Sequence, residues 1–179
     1  GKSALLRSIA LSLGLHNGPD TLRLLLIDLS GPSRWGRKGG TWAGLHELPH
    51  LLCPPLQDPH ETQLRLEWVA RLIARREEQA ADGEPIEGAN LVVLLDGVDA
   101  ALGSAAGREF AAALARIILR GREVGVQLVA TTRVATGVGR LGWGARVAGR
   151  CVDGAEAHAA TGIPGTGAEA LLGEGDFLV

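Results

Sequence analysis

A chain of 179 residues can form one domain with a real core, and 46% apolar with 21% charged residues is ordinary globular composition. A net charge of −2 excludes capture by nucleic acid or an anionic membrane through bulk charge, and no apolar run is long enough to predict a membrane span or membrane contact from this segment. Cys53 and Cys151, lone and far apart, exclude a disulfide framework and a cysteine metal site, and they fit a reducing cytosol.

The chain opens on Gly1-Lys2-Ser3, followed by Leu5, Leu6, Ile9, Ala10 and Leu13 at helical spacing. That is the back half of a phosphate-binding loop, G-x-x-x-x-G-K-[ST]. Backbone N–H groups at the start of a helix face a polyphosphate, the lysine reaches the β- and γ-phosphates, and the hydroxyl ligates Mg²⁺. The first strand and the start of the loop are missing, and no initiator methionine is present, so the sequence reads as a trimmed piece. Only Lys2 and Lys38 among 18 basic residues are lysine, which singles out Lys2 further.

Residues 3–14 are expected to form a helix stopped by Gly14 and the Asn17-Gly18-Pro19 turn. LRLLLIDL, residues 22–29, reads as a strand buried on both faces, with Asp28 at the end where open α/β sheets place ligands. Residues 30–44 form a Gly-rich basic loop. Residues 60–81 predict an amphipathic helix with Leu64, Trp68, Leu72 and Ile73 as its apolar stripe and the Arg75-Arg76 pair in solvent. LVVLLD, residues 91–96, is a second buried strand ending in aspartate. A helix follows over 108–120, then a strand over 126–132 (VQLVATT), a short one near 146–152 and a last one at 177–179. Strands alternating with helices give a mainly parallel sheet flanked by helices. No repeat or low-complexity linker divides the chain, so 1–179 reads as one domain.

Three strand ends bring chemistry together. In nucleotide-hydrolysing P-loop folds an apolar strand ending in Asp supports the Mg²⁺, here Asp96, and a polar residue ending the neighbouring strand senses the γ-phosphate. His46-Glu47-Leu48-Pro49-His50 matches a zinc-protease H-E-x-x-H, which needs both histidines on one helical turn. Pro49 breaks that turn, the glycines before it favour a loop, and no third ligand follows, so no zinc is expected.

Five segments carry a family resemblance: GKSALLRSIALSL, LHELPHLLCPPLQDP, LEWVARLIARREE, ILRGREVGVQLVATTR and ARVAGRCVDGAEAHAATG with GAEALLGEGDFLV. Together the chain resembles the motor domain of FtsK/SpoIIIE-type DNA translocases, P-loop ATPases of RecA-like fold. The resemblance implies Mg-ATP bound by Gly1, Lys2 and Ser3, metal held by Ser3 and Asp96, and a γ-phosphate sensor at Thr132, where the family has glutamine. It implies a ring, usually hexameric, moving double-stranded DNA, with Arg122 and Arg133 as candidate charges supplied across the subunit interface. Arg34, Arg37 and Lys38 are the candidate DNA contacts. The location implied is cytoplasmic, either free or as the cytoplasmic part of a membrane-anchored protein.

One departure bears on catalysis. The family follows the Walker B aspartate with a glutamate that polarises the attacking water; here Gly97 follows Asp96, and Asp99 is the nearest carboxylate. Misplacing a base by about 1 Å costs on the order of a hundredfold, so weak hydrolysis is expected, and Gly97→Glu is expected to raise turnover. The alternative is a degenerate nucleotide-binding or structural module of a type VII secretion (EccC-like) ATPase.

Overall fold

The computed structural model describes residues 1–31, 40–135, 138–173 and 175–179. Arg34, Arg37 and Lys38, the candidate DNA contacts, lie outside the described residues.

Three strands, β1 (Leu22–Asp28), β2 (Asn90–Asp96) and β3 (Val126–Ala130), pair in parallel in the order β1-β2-β3. Helix α1 (Lys2–His16) precedes β1. Helices α2 (Pro59–Ala81), α3 (Val98–Leu102), α4 (Gly107–Arg120) and α5 (Gly154–Thr161) follow in chain order. Leu24, Leu25, Leu26 and Ile27 are all 0% exposed, which requires cover on both faces of the sheet. Alternation divides them: Leu24 and Leu26 join Leu6 and Ala10 of α1, while Leu25 and Ile27 join the buried face of α2 and α4. The result is a helix–sheet–helix sandwich, the parallel α/β architecture expected of the strand–helix alternation.

Several local expectations change. Helix α1 runs through Gly14 to His16. The buried stripe of α2 is Thr62, Leu66, Val69, Ile73 and Arg76, while Leu64 is 51% exposed; the stripe is rotated because α2 packs against both the sheet and α4. β3 ends at Ala130, leaving Thr131 and Thr132 beyond the ladder. The two C-terminal strands reduce to a single antiparallel bridge between Ala148 and Leu178. Residues 50–56 run beside β1 through two isolated bridges, Leu24 with Leu51 and Ile27 with Leu56. Pro54 and Pro55, which have no N–H, prevent a continuous ladder there. Among the described residues no helix is long and apolar enough to cross a membrane.

Arg76, expected in solvent, is buried. Its guanidinium donates to the carbonyls of Val124 (2.9 Å), Ala89 (2.7 Å) and Glu87 (3.3 Å), stapling α2 to the approaches of β2 and β3. Burial pushes its pKa below the ordinary arginine value, and neighbouring Arg75 adds to the effect. Glu77, one position on, instead bridges Arg116 (3.0 Å) and Arg120 (2.5 Å) of α4, and the Arg120 hydrogen bond holds its carboxyl below the ordinary range. Replacing Arg76 by alanine strips three carbonyls of a charged donor and opens a gap under α2. The expected cost is about 3 kcal/mol, read as a lower urea midpoint; a loss under about 1 kcal/mol would show that water replaces the guanidinium.

Candidate nucleotide site

The site forms where the C-terminal ends of the strands meet the start of α1. Helix α1 begins at Gly1 with no side-chain cap and no acidic residue in its first turn, so its leading N–H groups keep their positive end for a ligand. Lys2 is exposed there, and among the described residues it makes no ion pair or hydrogen bond. Such an uncapped helix start with a free ammonium suits a polyphosphate.

Ser3 points at the sheet. Its hydroxyl donates to Asp96 Oδ2 at 2.6 Å, joining residues 93 apart in sequence. Asp96 is the last residue of β2, is 3% exposed, and accepts two further hydroxyls. Thr41 donates to the same Oδ2 at 2.5 Å, and Thr131 donates to Oδ1. The Thr131 hydroxyl oxygen also accepts the Gly97 N–H at 3.2 Å, tying the end of β2 to the turn after β3. A hydroxyl beside a carboxylate is a hard-oxygen donor set of the kind Mg²⁺ takes together with substrate phosphates. The residues present therefore fit Mg-nucleotide.

Asp28 stands next to Asp96, since the two are register partners at the ends of β1 and β2. Its Oδ1 accepts the hydroxyl (2.6 Å) and N–H (3.1 Å) of Ser30, and its Oδ2 accepts the Thr41 N–H at 2.7 Å. Gly40 has φ +61, and a Cβ there would overlap Asp28 Oδ2; only glycine lets the loop approach so closely. Arg7 of α1 clamps the same loop through the carbonyls of Thr41 (2.8 Å) and Ala43 (2.7 Å), and buried Trp42 anchors it in the core under α1.

No family model matches the chain. It is similar to DNA translocase FtsK of Leptospira interrogans, 28% identical over 201 residues, spanning 99% of this chain and 20% of that protein. Against DNA translocase FtsK of Helicobacter pylori (strain J99) the identity is 30% over 198 residues, again 99% of this chain and 22% of the relative. Among solved structures, the pCW3 conjugation coupling protein TcpA superposes with a TM-score of 0.75 at 18% identity, covering 99% of this chain and 53% of that one. The cytoplasmic domain of the Thermomonospora curvata type VII secretion ATPase EccC gives 0.68 at 23%, covering 92% and 21%. Along its whole length the chain is similar to proteins named DNA translocase FtsK, at 28–30% identity. Its fold is that of the RecA-like P-loop ATPase domains, and it spans about a fifth of the length of these FtsK relatives.

The FtsK/SpoIIIE-type features expected beyond Ser3 and Asp96 fall in different places. The Thr132 hydroxyl is engaged by the backbone of Val134, donating to its carbonyl (2.8 Å) and accepting its N–H (3.0 Å); the threonine on Asp96 is Thr131. Asp99, in α3, accepts the Arg133 N–H at 3.1 Å and pairs with its guanidinium at 3.5 Å, so its carboxylate is committed to the loop after β3. Arg122 is exposed in the 3-10 turn before β3, at the end of that strand away from Asp96. Residues 46–50 form turns; His50 donates from Nε2 to the Asn17 carbonyl at 2.8 Å, and His46 is exposed.

Gly97 is more than a missing glutamate. It has φ +87, in the left-handed region, and a Cβ on it would lie 2.7 Å from Ser30 N and 2.8 Å from Ser30 Cα. The backbone of Leu29 and Ser30, just beyond β1, occupies the space a side chain needs. The sequence does not single out Thr41, offers the Thr131-Thr132 pair as the polar end of the neighbouring strand without showing that Thr131 is the one on Asp96, and gives Asp28 no partner. Thr41 sits in a Gly-rich loop without periodicity. Its only signal was a hydroxyl residue in the stretch that follows a strand-end aspartate.

Proposed function

We propose that this domain is the ATP-binding motor domain of an FtsK/SpoIIIE-type DNA translocase that hydrolyses Mg-ATP slowly. The observation that carries the reading is the Ser3–Asp96 hydrogen bond, which joins the residue after Lys2 to the carboxylate ending the central strand. Lys2 and the free N–H groups of α1 would hold the phosphates; Ser3 and Asp96 would hold Mg²⁺. The ion, when bound, neutralises charge developing on the transferred phosphoryl group. Thr131 orients the Asp96 carboxylate and ties it to Gly97, and Thr132 lies one residue further on, at the γ-phosphate sensor position. No carboxylate follows Asp96 directly, and Asp99 reaches Arg133 instead, which supports slow turnover.

The DNA part rests on the similarity to proteins named DNA translocase FtsK. A lone domain of net charge −2 binds DNA weakly, and a ring, hexameric in this reading, sums such contacts. Arg34, Arg37 and Lys38 are the contacts proposed, Arg133 and Arg122 the residues facing a neighbouring subunit, and the cytoplasm the compartment. The second reading, a nucleotide-binding or structural module of a secretion ATPase, is favoured by one observation: Gly97 leaves no room for the glutamate a motor uses.

ATP turnover by the assembled protein, measured with and without long duplex DNA at several salt concentrations, separates the two. The motor reading expects slow basal turnover that DNA raises several-fold. It also expects a salt dependence that flattens when Arg34, Arg37 and Lys38 are all changed to alanine. Turnover indifferent to DNA would contradict it and leave the secretion-type module.

A further inference from the structure

Asp96 Oδ2 accepts two hydroxyls at once, from Ser3 at 2.6 Å and Thr41 at 2.5 Å. Ser3 belongs to the phosphate loop. Thr41 comes from a separate loop whose position is set on three sides. Asp28 holds its N–H, Arg7 holds its carbonyl, and Gly40 lets Asp28 approach. So much apparatus aimed at one hydroxyl calls for a purpose beyond packing, because Thr41 is only half-buried while the core contact of the loop is made by Trp42.

We propose that Thr41 is a latch on the nucleotide site: its hydroxyl occupies the Asp96 oxygen that must be released when Mg-nucleotide binds, and Asp28 is the positioning residue that holds it there. The proposal rests on the nucleotide reading of the site. Asp96 with three hydroxyl donors is satisfied without a cation. To lend its charge to a cation beside Ser3, it must give up a hydrogen bond. Ser3 is itself expected at the cation and Thr131 is tied to Gly97 on the other oxygen, so Thr41 is the donor free to leave. Its departure removes one of the contacts that hold the Thr41–Ala43 stretch, leaving the Arg7 clamp to α1.

The competition has a definite sign. Removing the Thr41 hydroxyl should make metal-dependent nucleotide binding easier, whereas a ligand or a merely structural residue would weaken it or leave it unchanged. The probe is a fluorescent, slowly hydrolysed ATP analogue titrated with Mg²⁺, so that binding is read without turnover. Thr41→Val, which keeps the shape and the N–H bond to Asp28, should reach half-saturation at about a tenfold lower Mg²⁺ concentration, the worth of one charge-assisted hydrogen bond. Thr41→Ser should restore wild-type behaviour. Asp28→Asn should shift the curve in the same direction as Thr41→Val, and no shift would remove Asp28 from the arm. Wild type and Thr41→Val with the same Mg²⁺ dependence, or a higher requirement in the variant, would overturn the latch and leave the nucleotide site standing. A wild-type protein that binds no nucleotide at any Mg²⁺ concentration would overturn both.

Discussion

Replacing Gly97 by glutamate is expected to destabilise the domain by about 3 kcal/mol or more and to leave turnover no faster than wild type. Two effects combine. A non-glycine residue at φ +87 costs about 1–2 kcal/mol in the left-handed region. Its Cβ then meets the Ser30 backbone at 2.7 Å, which main chain cannot relieve by a rotamer change, and forced repacking of that kind costs about 1–3 kcal/mol. The strain falls on the end of β1, beside Asp28, so relief would pull Asp28 and Thr41 out of place. This reverses the expectation drawn from sequence, in which restoring the glutamate repairs the motor. Urea denaturation of Gly97→Ala and Gly97→Glu, alongside ATP turnover, decides it. A stable Gly97→Glu protein with faster hydrolysis would show that the backbone opens readily and that only the base was missing.

The contrast shows what a linear sequence carries. Strands β1 and β2 were legible because residues covered on both faces must be apolar, and the runs LLLI (24–27) and LVVLL (91–95) are. The pairing of Ser3 with Asp96 followed from motif spacing, since a phosphate loop and a strand-end aspartate have one way to meet in a parallel sheet. Three things were hidden. The absence of a side chain at Gly97 was visible, but its reason is the Leu29–Ser30 backbone that follows β1. Thr131 and Thr132 look alike in sequence, and a shift of one residue after a strand turns a side chain to the opposite face. Arg76 follows an arginine on a helix rich in charge, and nothing local reveals that three carbonyls from later segments converge on it. The C-terminal bridge between Ala148 and Leu178 is too short to impose a pattern on the residues around it.

The second large effect concerns Lys2. Among the described residues it is the unpartnered cation at the start of α1, with no acidic residue in the first turn to neutralise it. The helix N–H groups would remain in Lys2→Ala, together with Ser3 and Asp96, but the one mobile charge would be gone. A charge-assisted contact to phosphate contributes about 1.5–3 kcal/mol, and two of them make the difference between measurable and undetectable binding. The fold should be untouched, because Lys2 is exposed and its side chain packs against nothing in the core.

The most direct test of the whole account is therefore titration calorimetry of Mg-ATP into the wild-type protein and into Lys2→Ala, with unfolding curves to confirm that both are folded. The account predicts saturable binding by the wild type and a loss of at least about a hundredfold in the variant. Equal binding by the two, or none by a folded wild type, would contradict it.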